Sequence, residues 1–188
     1  MKRVVIIPLY LLFILLTGCN YTPGVLPPIE VYFSPHGGCT DAIVREIEVA
    51  GSSIFVQAYS FTSAPIAKAL VDAYKRGVHV EVILDDSNKT QKYSSADFLH
   101  NAHIPVLIDG EHAIAHNKIM IIDGQVVITG SFNFTKQAEQ GNAENLLIIR
   151  DRAFADRYIA NWRLHAGHSE EYSGREERLG DSNARDEQ

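Results

Sequence analysis

Apolar residues recur along this chain at two different periods, and the alternation between the periods lays out the elements. Residues 53–61 (SIFVQAYSF) alternate apolar and polar positions, the two-residue period of a half-buried strand. Residues 63–76 (SAPIAKALVDAYKR) carry a helical period instead, with Ser63 at the N-cap, Pro65 in the first turn, basic residues at the end and Gly77 beyond. The same reading predicts strands over 29–33, 78–84, 104–108, 113–122, 125–131 and 145–150. It predicts further helices over 41–50, 94–101 and 153–165, the last an amphipathic AFADRYIANWRLH. Strands separated by helices argue for an α/β sheet with helices packed on its faces. No internal repeat is visible.

One pair of strands is joined too tightly for a helix to intervene. Asp123-Gly124, between KIMII and QVVIT, is a two-residue hairpin signal, because a type I′ turn needs positive φ at both central positions. The sheet is therefore expected to be mixed. If those two residues make the turn, Ile122 faces Gln125, Lys118 faces Thr129 and His116 faces Ser131. His116, Lys118, Ser131 and Asn133 then project from one face, at one end of an otherwise apolar hairpin. Four polar groups in such a place are expensive to bury without a purpose.

The ends of the chain differ in character from its middle. Lys2 and Arg3 precede an apolar run over 4–16, too short to span a bilayer comfortably but suited to a signal peptide. The run ends in Leu16-Thr17-Gly18-Cys19, which resembles a bacterial lipobox whose Cys is acylated, so residues 1–19 read as an export signal and Cys19 as a membrane anchor. Ordinary signal cleavage, leaving a soluble periplasmic or secreted protein, is the alternative. Residues 20–28 (NYTPGVLPP) read as a tether, 29–167 as one domain and 168–188 as a polar, disordered tail. With Cys19 lipidated, Cys39 is a small buried residue; with Cys19 a thiol, a Cys19–Cys39 disulfide becomes possible.

Size and charge narrow the picture. Of 188 residues, 46% are hydrophobic and 21% charged, an ordinary globular composition with enough chain for one sizeable core. The net charge is −6, and about −8 once Lys2 and Arg3 are removed. An acidic chain gains no general attraction to nucleic acid, which disfavours a tight, wide-footprint DNA binder but not an enzyme with a local positive site.

The four hairpin residues suggest a particular chemistry. Lys118 supplies fixed positive charge, Ser131 and Asn133 supply neutral donors, and together they suit the non-bridging oxygens of a phosphodiester. His116 is the one good nucleophile among them, an imidazole with a reference pKa near ~6.5. The compound pattern His116-x-Lys118-x4-Asp123, followed by Gly130-Ser131-x-Asn133, resembles the HKD signature of the phospholipase D superfamily, in particular its small single-motif bacterial nucleases. The resemblance covers residues 29–165. It implies an α/β/α sandwich that hydrolyses phosphodiesters without a metal or other cofactor, through a phosphohistidine. It further implies that His116 is the nucleophile, that Lys118, Ser131 and Asn133 bind phosphate, that Glu144 hydrogen-bonds His116, and that Asp123 is supportive. Relatives with two motifs build one site between two halves, so a single motif implies a homodimer with two His116 side chains meeting at the axis. One attacks phosphorus and the other, protonated, serves the leaving group, giving a bell-shaped pH–rate profile.

Other readings are weaker. His112-x3-His116 has a helical zinc-ligand spacing but lies in a strand-patterned segment, and His100-x2-His103 and His165-x2-His168 sit at helix ends without accompanying Cys or acid clusters, so no metal site is expected. Asp85-Asp86 reads as a cap or turn, and Lys89 and Lys92 as a solvated loop. A nucleic acid is the expected substrate. A phospholipid headgroup phosphodiesterase is the enzymatic alternative, and a non-catalytic lipoprotein binding module the alternative of another class.

Overall fold

The alternating segments assemble into a single sheet of eight strands. The computed structural model describes residues 28–91 and 93–175; the export signal with Cys19, the tether up to residue 27, Lys92 and residues 176–188 lie outside the described residues. The strands are β1 (Ile29–Ser34), β2 (Ser53–Ala58), β3 (His79–Asp85), β4 (Val106–Asp109), β5 (Lys118–Ile122), β6 (Val126–Gly130), β7 (Glu144–Arg150) and β8 (Glu170–Glu171). The helices are α1 (Cys39–Val49), α2 (Ala64–Lys75), α3 (Ala96–Asn101), α4 (Lys136–Gln140) and α5 (Arg152–Ala166). The spatial order is β1-β7-β6-β5-β2-β3-β4-β8. Only β2–β3 and β3–β4 run parallel, so the sheet is mixed as the hairpin required.

Strand alternation sorts the side chains into two cores. Ile54 and Val56 of β2, Val80 and Val82 of β3, and Met120 and Ile122 of β5 share one core with Ile43 and Ile47 of α1 and Ile66 and Leu70 of α2. Each such fully buried aliphatic side chain contributes about 1.5–3 kcal/mol. On the opposite face Ile83, Ile119, Ile121 and Val127 pack against Ala155 and Trp162 of α5. The Trp162 indole also donates to the carbonyl of Val56 at 2.9 Å, pinning α5 across the middle of the sheet. The result is an α/β/α sandwich. Cys39 lies fully buried in the larger core. Among the described residues no helix is long and apolar enough to cross a membrane.

Several expectations are corrected. The strand expected over 113–122 begins only at Lys118; residues 110–117 form an irregular loop, held by the Ala115 amide donating to Asp85 Oδ2 at 2.8 Å. Ser63 precedes α2 without a side-chain cap bond, its carbonyl accepting from the Ala67 amide instead. Residues 168–175, expected to open a disordered polar tail, dock on the sheet instead. Glu170 and Glu171 pair with Ile108 and Leu107 of β4, and Tyr172 is buried with its hydroxyl donating to Asp97. A single apolar residue in a polar segment carries no period, so this docking left no pattern to read.

Candidate active site

The hairpin forms, but with one more residue in its turn than the sequence suggested. Asp123 and Gly124 adopt positive φ, 54° and 61°, as expected. Ile122 nevertheless faces Val126, Ile121 faces Val127 and Met120 faces Ile128, so Gln125 belongs to the turn. Continued outward, that register sets Lys118 against Gly130 rather than Thr129. His116 lies outside the ladder altogether, in the loop that leads into β5. The expected facing of His116 and Ser131 as a strand pair is therefore not realised.

A second irregularity decides where Ser131 goes. Gly130 ends β6 with φ 147°, and a Cβ placed there would lie 2.2 Å from the Asn145 carbonyl oxygen. Only glycine lets β6 approach β7 so closely. Beyond it, the Ser131 and Phe132 amides both donate to that same carbonyl, at 3.1 and 3.2 Å, two residues set against one. The Asn145 amide returns a bond to Ser131 Oγ at 3.1 Å. Hydrogen bonds to Asn145, rather than strand parity, thus orient Ser131. Asn133 follows two residues on, its Oδ1 buried and without a hydrogen-bond partner among the described residues.

Lys118 is the electrostatic centre of this end of the sheet. It is 7% exposed, and its ammonium donates to the His116 carbonyl at 2.9 Å and sits 5.0 Å from the centre of the Tyr59 ring. The His116 ring packs on the same Tyr59, centroids 4.6 Å apart. Burial pushes the Lys118 ammonium below the usual lysine value, while the Glu144 and Asp85 carboxylates push back. A cation so desolvated, with its carboxylates acting only through space, is suited to an entering anion. His116 itself is exposed. An open cleft of about 550 Å³ beside it is lined by Lys118, Thr129 and Gly130 and, from α5, by Arg157, Tyr158 and Asn161. The sequence had offered no sign of these three helix residues, which a solvated helix face explains equally well.

Two carboxylates behave differently from expectation. Glu144 does not hydrogen-bond His116; it accepts from Asn142 Nδ2 at 3.0 Å. It acts on Lys118 through charge alone. Asp123 supports the fold rather than lining the cleft, accepting from the amides of Gly51, Ser52 and Ser53 at 2.9, 2.7 and 2.9 Å and from Ser52 Oγ at 2.8 Å. Asp85 caps the turn that follows β3, and Lys89 pairs with Asp86 and Glu170 rather than standing free in a loop.

Contrary to the expectation from the sequence, the histidines at the end of α5 are not without an acid. His165 and His168 do have an acid beside them: Asp109, 56 residues earlier than His165, together with His112. The fold alone makes this set, and none of its four residues lines the cleft beside His116.

The profile described as "Cardiolipin synthase, PLD-like domain" matches residues 43–163. A protein named phospholipase D from Rickettsia prowazekii (strain Madrid E) is 48% identical over 134 residues, 71% of this chain, which spans 65% of that relative's length. The human mitochondrial cardiolipin hydrolase is 33% identical over 133 residues, 68% of this chain and 53% of that protein. Among solved structures, Nuc from Salmonella typhimurium, described as a phospholipase D family member, superposes with a TM-score of 0.75 at 37% identity, covering 78% of this chain and 98% of Nuc. NucT from Helicobacter pylori superposes at 0.72 with 24% identity and shows the shared fold, covering 77% of this chain and 99% of NucT.

Proposed function

From the premise that this chain belongs to the phospholipase D superfamily, we propose that it is a metal-independent phosphodiesterase, acting on nucleic acid as an endonuclease of low sequence specificity. One arrangement carries this reading: the buried Lys118 ammonium beside the exposed His116 imidazole, in an open cleft that α5 completes with Arg157. The Arg157 side chain has no ion-pair partner among the described residues, which suits it to a second phosphate of an extended backbone. A site that grips backbone phosphate reads little sequence.

The reaction proceeds in two displacements. His116 attacks phosphorus, forming a P–N bond as the P–O bond to the leaving alkoxide breaks, with Lys118, Ser131 and Asn133 holding the non-bridging oxygens. His116 of a second copy, protonated, gives its proton to the alkoxide. Water then attacks phosphorus, losing a proton to that second imidazole, and the P–N bond breaks. A homodimer follows, because the described residues offer no second imidazole beside His116 to act as the acid. Exposed apolar groups flank the site where a second copy would cover them. Phe33 is 66% exposed and pairs opposite Asn145, and Ile114 is 57% exposed two residues from His116. Export, with Cys19 as a lipid anchor, places the enzyme outside the cytoplasm.

Phospholipid headgroup hydrolysis is the second reading, favoured by the names of the Rickettsia and human relatives and by the same exposed Phe33 and Ile114. Both are tested by incubating the full-length protein, its fold checked by thermal denaturation in excess EDTA, with plasmid DNA and separately with phosphatidylcholine vesicles. His116→Ala is run in parallel. Plasmid cleavage that survives the chelator and vanishes in the variant supports the endonuclease. Headgroup release with the plasmid intact moves the substrate to lipid, and activity on neither contradicts both.

A further inference from the structure

Three strands along the sheet from Lys118, at the end of β4, four potential metal ligands converge. Asp109 closes β4 with its side chain fully buried beneath the C-terminal end of α5. His165 lies in the last turn of α5 and His168 just beyond it, while His112 belongs to the loop after β4. One donor atom from each of the four lies within 4.8 Å of the other three. Asp109 Oδ2 is 2.7 Å from His165 Nδ1, and Oδ1 is 3.2 Å from His112 Nδ1 and 3.4 Å from His168 Nε2. The three imidazoles crowd one another, with ring centroids 4.9, 5.3 and 5.2 Å apart.

We propose that Asp109, His112, His165 and His168 form a structural zinc site. Three imidazoles and one carboxylate match the borderline character of Zn²⁺ and fill a tetrahedral shell without leaving an open position for substrate. Ligands at ~2.0–2.2 Å from a tetrahedral ion stand ~3.3–3.5 Å from one another, a spacing that the carboxylate–imidazole distances already approach. The surroundings fix the ligands. The Glu111 amide donates to Asp109 Oδ1 at 3.2 Å, and the His165 carbonyl accepts from the Ser169 amide and hydroxyl at 3.1 and 2.7 Å, bending the chain so that His168 turns back toward Asp109.

The site has a consequence for the loop that carries His116. Residues 110–117 run from the end of β4 to β5 without regular structure. Asp85 holds the loop near its end, through the Ala115 amide. Zinc on His112 holds its beginning, joining it to β4 and to the end of α5. The ion therefore positions a loop and takes no part in the phosphodiester chemistry, and the site stands whatever substrate the cleft accepts.

The test uses the full-length protein, stripped with chelator and then equilibrated with zinc alone. Bound zinc is measured by elemental mass spectrometry, and Tm is measured with and without the ion. His112→Ala and His168→Ala are the informative variants, because both side chains are partly exposed, 45% and 31%, and their loss leaves the core intact. His79→Ala, on an exposed histidine elsewhere, is the control. The site predicts one zinc per chain at micromolar free zinc, a rise in Tm on loading, at least tenfold weaker binding in each of the two variants, and no change in the control. Cobalt loading should give the intense visible bands of a tetrahedral site, lost in the same two variants. No retained zinc, or retention equal in wild type, His112→Ala and His168→Ala, overturns the proposal and leaves a hydrogen-bonded cluster only.

Discussion

Lys118 turns its ammonium back onto the carbonyl of His116, 2.9 Å away, so the cation and the backbone of the proposed nucleophile are held by one contact. The contact is made in a place where the charge is poorly solvated. Burial lowers the ammonium pKa from the ordinary lysine value, so a proton on Lys118 costs folding free energy. This penalty is present at neutral pH and fades as pH rises from the folded value to the unfolded one near ~10.4, where neither state binds the proton. Lys118→Met is therefore expected to match or exceed wild-type stability at pH 7 and to lose that advantage toward pH 10, by thermal denaturation across pH. Its kcat should fall by about 10²–10³ or more, the cost of removing a preorganised charge from a transition state. A variant both less stable and fully active would contradict this picture.

Asp123 is expected to show the opposite pattern. Burial alone would raise its carboxyl, but hydrogen bonds from Gly51, Ser53 and Ser52 outweigh that and hold it below the ordinary carboxylate value. Its contribution to stability is therefore present above the unfolded value near ~3.9 and lost as pH falls through that value and on through the folded one. Asp123→Asn should lower stability by about 2 kcal/mol at pH 7 and flatten the acid limb below pH ~4, with kcat within a few-fold of wild type. A collapse of kcat at unchanged Tm would place Asp123 in the chemistry instead.

Gly130 joins the fold to the site. An added methyl meets the Asn145 carbonyl oxygen at 2.2 Å, so Gly130→Ala must push β6 from β7 and move Ser131 with it. The strain costs about 1–3 kcal/mol, read as a drop in Tm. At a temperature where the variant remains folded, KM should rise and kcat fall because the Ser131 hydroxyl is displaced. Unchanged kinetics would remove Ser131 from phosphate binding.

The parts of this molecule that were legible in the sequence share a cause: local periodicity. SIFVQAYSF alternates because β2 buries Ile54 and Val56 on one face, and positions 153–165 read as a helix because Ala155 and Trp162 must face the sheet. His116, Lys118 and the turn were visible as a motif. The hairpin register was not, because Gln125 joins the turn and the bulge after Gly130 resets the facing of Ser131, and both depend on neighbouring strands and on the anchoring of Asp123 at Gly51–Ser53. The Asp109–His165 contact was hidden for a plainer reason. Its partners come from β4 and from the far end of α5, and only the assembled sheet brings them together.

A shared site makes a sharp statement about mixtures. If each reaction needs His116 from both copies, a mixed dimer of wild-type and His116→Ala chains is inactive. Random re-association should then give activity that falls as the square of the wild-type fraction, about one quarter at equal amounts. A linear fall would contradict the shared site. Phe33→Asp, on the exposed apolar edge near Asn145, should give monomers by sedimentation and lose activity with little change in Tm.

The most direct test of the account is to trap the covalent intermediate. A phosphodiester substrate is mixed with excess enzyme for less than one turnover, quenched in alkali where a phosphohistidine survives, digested, and the peptides are analysed by mass spectrometry. A phosphoryl adduct on His116 that forms and decays with product release, and is missing in Lys118→Met, is the predicted result. Turnover with no adduct, or an adduct on any other residue, would contradict it.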